Sequence, residues 1–238
     1  DFINSLNEYL LHVNYKKKNF DLVISRLMSF PNEKELRKKI KSVLLSDKTS
    51  ISLEILSNFE FKWGNYENSY KALLDSELEP IRIYEFGKDL ISVEQFDLAE
   101  KIFGDLLKIN NQDIVENSIY QIGNIFEQKT INKNLSLPIS DRFFNSIFFW
   151  SDYLEIDQNS GDAMFKAIAI YDSLSNRFNH SHAKYRLADI KYRAFADFDN
   201  ALKQFTDLEK NDRQHDIRFS SAIKTLDIMI AQGDLENA

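Results

Sequence analysis

Along the chain a large apolar residue is followed three positions later by a small one and, four positions beyond that, by another large one. Phe96, Ala99, Phe103 and Leu106 show the pattern in full. Met164, Ala167, Tyr171, Leu174 and Phe198, Ala201, Phe205, Leu208 repeat it with identical spacing. Phe20, Val23, Leu27 and Tyr66, Ser69, Leu73 keep the three-then-four step, and Leu235 with Ala238 begins it once more. Such steps place every member of a set on one face of an α-helix, so each set predicts an amphipathic helix. The intervals carry more than amphipathicity does. Met164 to Phe198 is 34 residues, Phe96 to Met164 is 68, or twice 34, and Phe198 to Leu235 is 37, which predicts a repeating structural unit. Phe20 to Tyr66 is 46 and Tyr66 to Phe96 is 30, so residues 1–79 read as degenerate copies with an insertion and a shortened loop.

Ahead of these helices runs a second amphipathic segment, in which a large residue is followed by a small one near the middle of the face and another large one. Ile83, Phe86, Gly87, Leu90 and Ile119, Ile122, Gly123, Phe126 carry a glycine there, whereas Tyr185, Ala188, Asp189, Tyr192 is a looser copy. Small residues let neighbouring helices approach closely. The short steps Trp63-Gly64-Asn65, Ala196-Asp197 and Gln232-Gly233-Asp234 suit the turns of helical hairpins. The expected organisation is an all-α array of about six antiparallel hairpins over 1–238: regular units at 80–127, an insertion with an aromatic helix at 128–160, and further units at 161–238 with the last incomplete. No second helix is evident after Phe126, where the polar stretch Gln128 to Asp141, with Pro138, reads as an insertion.

Composition narrows the function classes. With 6 Gly and 3 Pro in 238 residues, breaks and tight turns are few, as short-looped helices require. A formal net charge of -7 disfavours a phosphate backbone, so nucleic acid is not an expected partner. The absence of Cys removes thiolate nucleophiles, thiolate metal sites and disulfides. No run of 18 uncharged apolar residues occurs, so no membrane insertion is expected. His180 and His182 lack an HExxH motif or flanking carboxylates and read as a loop junction rather than metal ligands. No glycine-rich phosphate cradle occurs either, so no cofactor and no catalytic residue is assigned. The basic runs at Lys16-Lys17-Lys18 and Lys34 to Lys41 read as solvated helix faces.

In its pairs of helices, the first carrying a small residue and the second led by an aromatic and an alanine, the chain resembles the tetratricopeptide repeat family from Ser52 to Asp75, Pro80 to Asn110 and Gly161 to Asn211. Asp189 and Ser57 depart from the family pattern by standing where it has glycine or alanine. The resemblance implies a right-handed α-solenoid whose first helices line a concave groove that holds a peptide or protein segment. It implies partner-binding roles for Tyr84 and Lys88 on one first helix, and for His182, Arg186 and Arg193 on another. The Lys and Asn set with which some members clamp a C-terminal carboxylate is not assembled here. The junction Phe178-Asn179-His180-Ser181 before Ala183, Tyr185 and Leu187 is similar to repeat junctions of bacterial outer-membrane assembly and Tol-Pal-associated proteins. That likeness implies a bacterial protein, in the periplasm or envelope rather than the cytoplasm.

Phe143 to Trp150 is apolar on too many sides for a helix with one wet face. It is expected either to be wedged inside the array or, through Phe148 and Phe149, to bind a partner or a second copy. The chain is thus expected to be a non-catalytic interaction scaffold. The alternatives are the recognition or regulatory region of a longer protein, and a structural homo-oligomer.

Overall fold

A computed structural model describes residues 2–15, 19–130 and 158–234, and those residues are all α. The helices among them are α1 (Phe2–Tyr15), α2 (Phe20–Leu27), α3 (Lys34–Asp47), α4 (Ser50–Lys62), α5 (Tyr66–Asp75), α6 (Pro80–Ser92), α7 (Phe96–Leu106), α8 (Gln112–Gln128), α9 (Gln158–Phe178), α10 (Ser181–Phe195), α11 (Phe198–Asn211) and α12 (His215–Gln232). Among the described residues no helix is long and apolar enough to cross a membrane. The chain divides into two compact units, Asp1–Ile102 and Phe103–Ala238.

Local chemistry starts and stops these helices. Thr49 Oγ1 accepts from the Ser52 N–H at 3.1 Å, and Asn111 Oδ1 does the same for Ile114 at 3.1 Å. Each supplies an acceptor to an N–H that the first turn leaves unpaired. Pro80 opens α6, where its missing N–H costs nothing. The exits share one device. Gly64 has φ 77°, and Asn65 N–H reaches back to Glu60 O at 2.8 Å. Glu94 has φ 61° with Gln95 N–H on Leu90 O at 2.9 Å, and Gly233 has φ 79° with Asp234 N–H on Met229 O at 2.9 Å. Ala196, at φ 51°, occupies the same place ahead of Asp197. In every case the left-handed residue stands two positions before the leading large residue of the next set: Tyr66, Phe96, Phe198 and Leu235. The sequence period therefore has a backbone counterpart.

Ala196 is exposed and holds that left-handed conformation without being glycine. Ala196→Gly is expected to remove a strain of about 1 kcal/mol and to add back about half of it in unfolded-chain entropy. The net result is a small rise in thermal midpoint with unchanged helicity, measured by circular dichroism.

In the first unit the core is built by Leu6, Leu10 and Val13 of α1, Val23 and Leu27 of α2, Ile40 and Leu44 of α3, and Ile55, Leu56 and Phe59 of α4. α4 and α5 form a hairpin in which Ser69 Oγ donates to Ser57 O at 2.7 Å and lies 3.1 Å from Ser57 Oγ. Ser57 thus fills the small-residue position with a hydroxyl that its partner helix satisfies. The 46-residue interval between Phe20 and Tyr66 holds an additional helix, α3, which packs on α4 and α1.

In the second unit α9 packs along α8, α10 on α9, α11 on α10, and α12 on α11. The helix that answers Ile119, Gly123 and Phe126 is therefore α9, led by Met164. Between Phe96 and Met164 the described residues hold one first-and-second pair, α8 with α9. Most of the expected 128–160 insertion, with Phe148 and Phe149, lies outside the described residues; α8 itself runs to Gln128.

Candidate functional site

Three stripes run along α10, and their separation defines the site. Ala183, Leu187, Ile190 and Ala194 pack with Met164, Ala167, Tyr171 and Leu174 of α9. Tyr185, Ala188 and Tyr192 pack on α11, with Tyr185 edge-on to Phe205 at 5.3 Å and Tyr192 edge-on to Phe198 at 5.8 Å. The third stripe is His182, Arg186, Asp189 and Arg193, at steps of four, three and four. It faces the equivalent stripes of α8 and α12 and holds three of the residues expected to bind a partner.

The structure joins two of them to buried carboxylates. Glu127 of α8 is fully buried. Arg186 Nε donates to its Oε2 at 3.1 Å, Arg186 Nη2 contacts its Oε1, and the Tyr171 hydroxyl donates to Oε2 at 2.9 Å. Arg186 Nη1 turns to Asp189 Oδ2 at 3.0 Å, and Arg193 Nη1 lies 3.5 Å from the same oxygen. Lys224 of α12 stands 3.5 Å from Asp189 Oδ1 and 3.9 Å from Asp227. These six charged groups, three of each sign, tie the first helices α8, α10 and α12 together. Burial, and then the charge of Glu127, push the Tyr171 phenol well above its ordinary value, so it stays a donor. Arg186 thus links α10 to α8 and Lys224 links α12 to α10, while Arg193 holds Asp189 from within α10; the Arg186 and Arg193 side chains are 24% and 16% exposed.

His182 is more open, 42% exposed at the side chain, with Nε2 4.0 Å from Asp216 Oδ2. Its ring lies 5.9 Å from Tyr120 and 5.9 Å from His180, while His180 stacks on Tyr120 at 5.2 Å. His180 Nδ1 accepts the Ala183 N–H at 3.2 Å and so caps α10. Burial, followed by the nearby His182, lowers the His180 pKa, which fits an unprotonated cap. Among the described residues no group of three His, Cys, Asp or Glu side chains is placed to hold a metal ion.

In the first unit Tyr84 and Lys88 are neighbours on α6, with Lys88 Nζ 5.7 Å from the Tyr84 ring centroid and 2.8 Å from Glu85 Oε2. The Glu85 hydrogen bond raises the Lys88 pKa, so the site keeps its positive charge. The same logic of carboxylate and cation recurs here: Arg82 of α6 contacts Glu54 of α4, and Lys41 of α3 meets buried Glu60 at 2.7 Å. Lys41 is thus one member of the basic run that has a specific partner.

Sequence reasoning missed Glu127, Glu60 and Lys224. For Asp189 a signal existed: a carboxylate in a small-residue position, with arginines three before and four after it. Glu127 follows Phe126 with no comparable mark, because its partner Arg186 is 59 residues away. No protein-family model and no curated protein matches the chain.

Proposed function

We propose that the chain is a non-catalytic interaction scaffold, a right-handed solenoid of tetratricopeptide-like hairpins that binds a segment of another protein along its first helices. The observation supporting this is the third stripe of α10, a charged set distinct from the two apolar sets that pack with α9 and α11. The ion pairs with α8 and α12 hold that stripe at a fixed spacing, as a preorganised binding surface requires. Arg186 serves mainly to space α10 from α8, and Arg193 to hold Asp189 from within α10. The side chains that meet the partner are Tyr84 and Lys88 on α6 and His182 on α10.

An affinity capture from native extract tests this, comparing the wild-type chain with a Tyr84→Ala, Lys88→Glu, His182→Ala variant whose helicity and melting curve are unchanged. A protein captured by the wild type and reduced tenfold or more with the variant is the expected outcome. Equal capture by both moves the binding surface away from these first helices.

A further inference from the structure

Asn179 and His180 alone join α9 to α10, and His180 serves both helices. Asn179 holds a left-handed φ of 54°, and the His180 N–H reaches back to Leu174 O at 3.4 Å, which closes the last turn of α9. The His180 ring then opens α10, its Nδ1 accepting the Ala183 N–H at 3.2 Å. A neutral ring that accepts at Nδ1 carries its proton on Nε2. The same ring stacks on Tyr120 of α8, with centroids 5.2 Å apart and planes 22° from parallel, and Tyr120 lies 5.6 Å from Tyr171 of α9. One imidazole therefore caps α10, and it fastens the start of that helix to α8.

We propose that His180 makes the second unit acid-sensitive: protonating its ring undoes the cap and loosens the start of α10 from α8. A proton on Nδ1 turns the acceptor into a second donor facing the Ala183 N–H, so that N–H loses its partner. The imidazolium also sits at the positive end of the α10 macrodipole, where a cation is unfavourable. The surrounding groups do not offset these costs. From α8, Tyr120 covers the ring and Glu116 favours its protonated form. From α10, His182 lies 5.9 Å away, and Lys184 contacts the adjoining Asn179. Asp216 of α12 meets His182, 4.0 Å from its Nε2, and Tyr171 of α9 lies behind Tyr120. Burial first, and then His182, outweigh Glu116 and hold the His180 pKa below its ordinary 6.5. A histidine whose pKa is lowered by folding costs nothing above its unfolded value and destabilises progressively below it. The second unit thus keeps its full stability above about pH 6.5 and loses part of it as the pH falls from there through the lowered folded value. His182 stands on the surface proposed to meet a partner, so acid loosens that surface too. This last consequence rests on the scaffold reading, whereas the acid sensitivity does not.

Two measurements on the whole chain test this. Thermal unfolding followed by circular dichroism compares wild type with His180→Asn at about pH 7.5 and about pH 5.5, since asparagine supplies a capping oxygen that does not titrate. On acidification the wild-type midpoint is expected to fall by about 3 °C more than that of the variant. Nitrogen-15 NMR of the histidine rings in the wild-type chain, with His180 assigned through its backbone resonances, is expected to show the Nε2–H tautomer and a titration below the ordinary value. Equal falls in the two proteins overturn the proposal. A His180 ring that titrates at or above its ordinary value, or one that carries its neutral proton on Nδ1, also overturns it, and that measurement stands even if His180→Asn folds poorly. Neither readout involves a partner. Failure here therefore leaves the scaffold reading intact, and failed capture through Tyr84, Lys88 and His182 leaves the acid sensitivity of His180 intact.

Discussion

Arg186→Ala is expected to lower the stability of the second unit by about 3 kcal/mol or more, the cost of leaving a buried carboxylate without its cation. Glu127 is fully buried and Arg186 meets both of its oxygens. Truncation removes that cation and also takes one of the two arginines from Asp189. Equilibrium urea unfolding followed by circular dichroism measures the loss. A companion variant separates the pair from the side chains' bulk. Glu127→Gln with Arg186→Met removes both charges while keeping most of the volume, and is expected to recover more than half of the loss, since well-packed apolar replacements of buried pairs are often neutral. If Arg186→Ala costs under about 1 kcal/mol, the pair behaves as an exposed one and does not fix the spacing of the first helices.

Gly123→Ala is expected to destabilise by about 1–3 kcal/mol, the usual cost of overpacking. Helix propensity alone would give the opposite sign, a gain of about 0.5–1 kcal/mol for removing glycine from a helix interior. The clash decides. The new methyl would lie 2.8 Å from Tyr171 Cε1 and 3.1 Å from Ile170 Cγ2. The ring has little room to yield, since Tyr171 is fully buried and its hydroxyl is bonded to Glu127. Gly104, within α7, is the matched control: a Cβ there meets nothing within 4 Å. Gly104→Ala is expected to stabilise by about the propensity difference. Urea midpoints that move in opposite directions for the two substitutions confirm the close approach of α9 to α8, and a stabilising Gly123→Ala removes it.

The amino-acid sequence by itself determined the helices, their turns and the character of each face, because those follow from steps of three and four and from which residues can bend the backbone. Ala99, Phe103 and Leu106, for example, were legible as one buried stripe, and all three are buried. Glycine at 64 and 233 marked turns whose left-handed conformation the structure shows, whereas Glu94 and Ala196 adopt the same conformation with no glycine to announce it. The tertiary structure alone decided which helix answers which. α9 was legible as a helix, but not as the partner of α8, because the chain between them hides the adjacency that short turns reveal elsewhere. The candidate site divides in the same way. Tyr84, Lys88 and His182 could be placed on helix faces by counting. That Arg186 is held by Glu127, 59 residues earlier, could not, because the pairing of charges depends on distances in space that no local periodicity encodes.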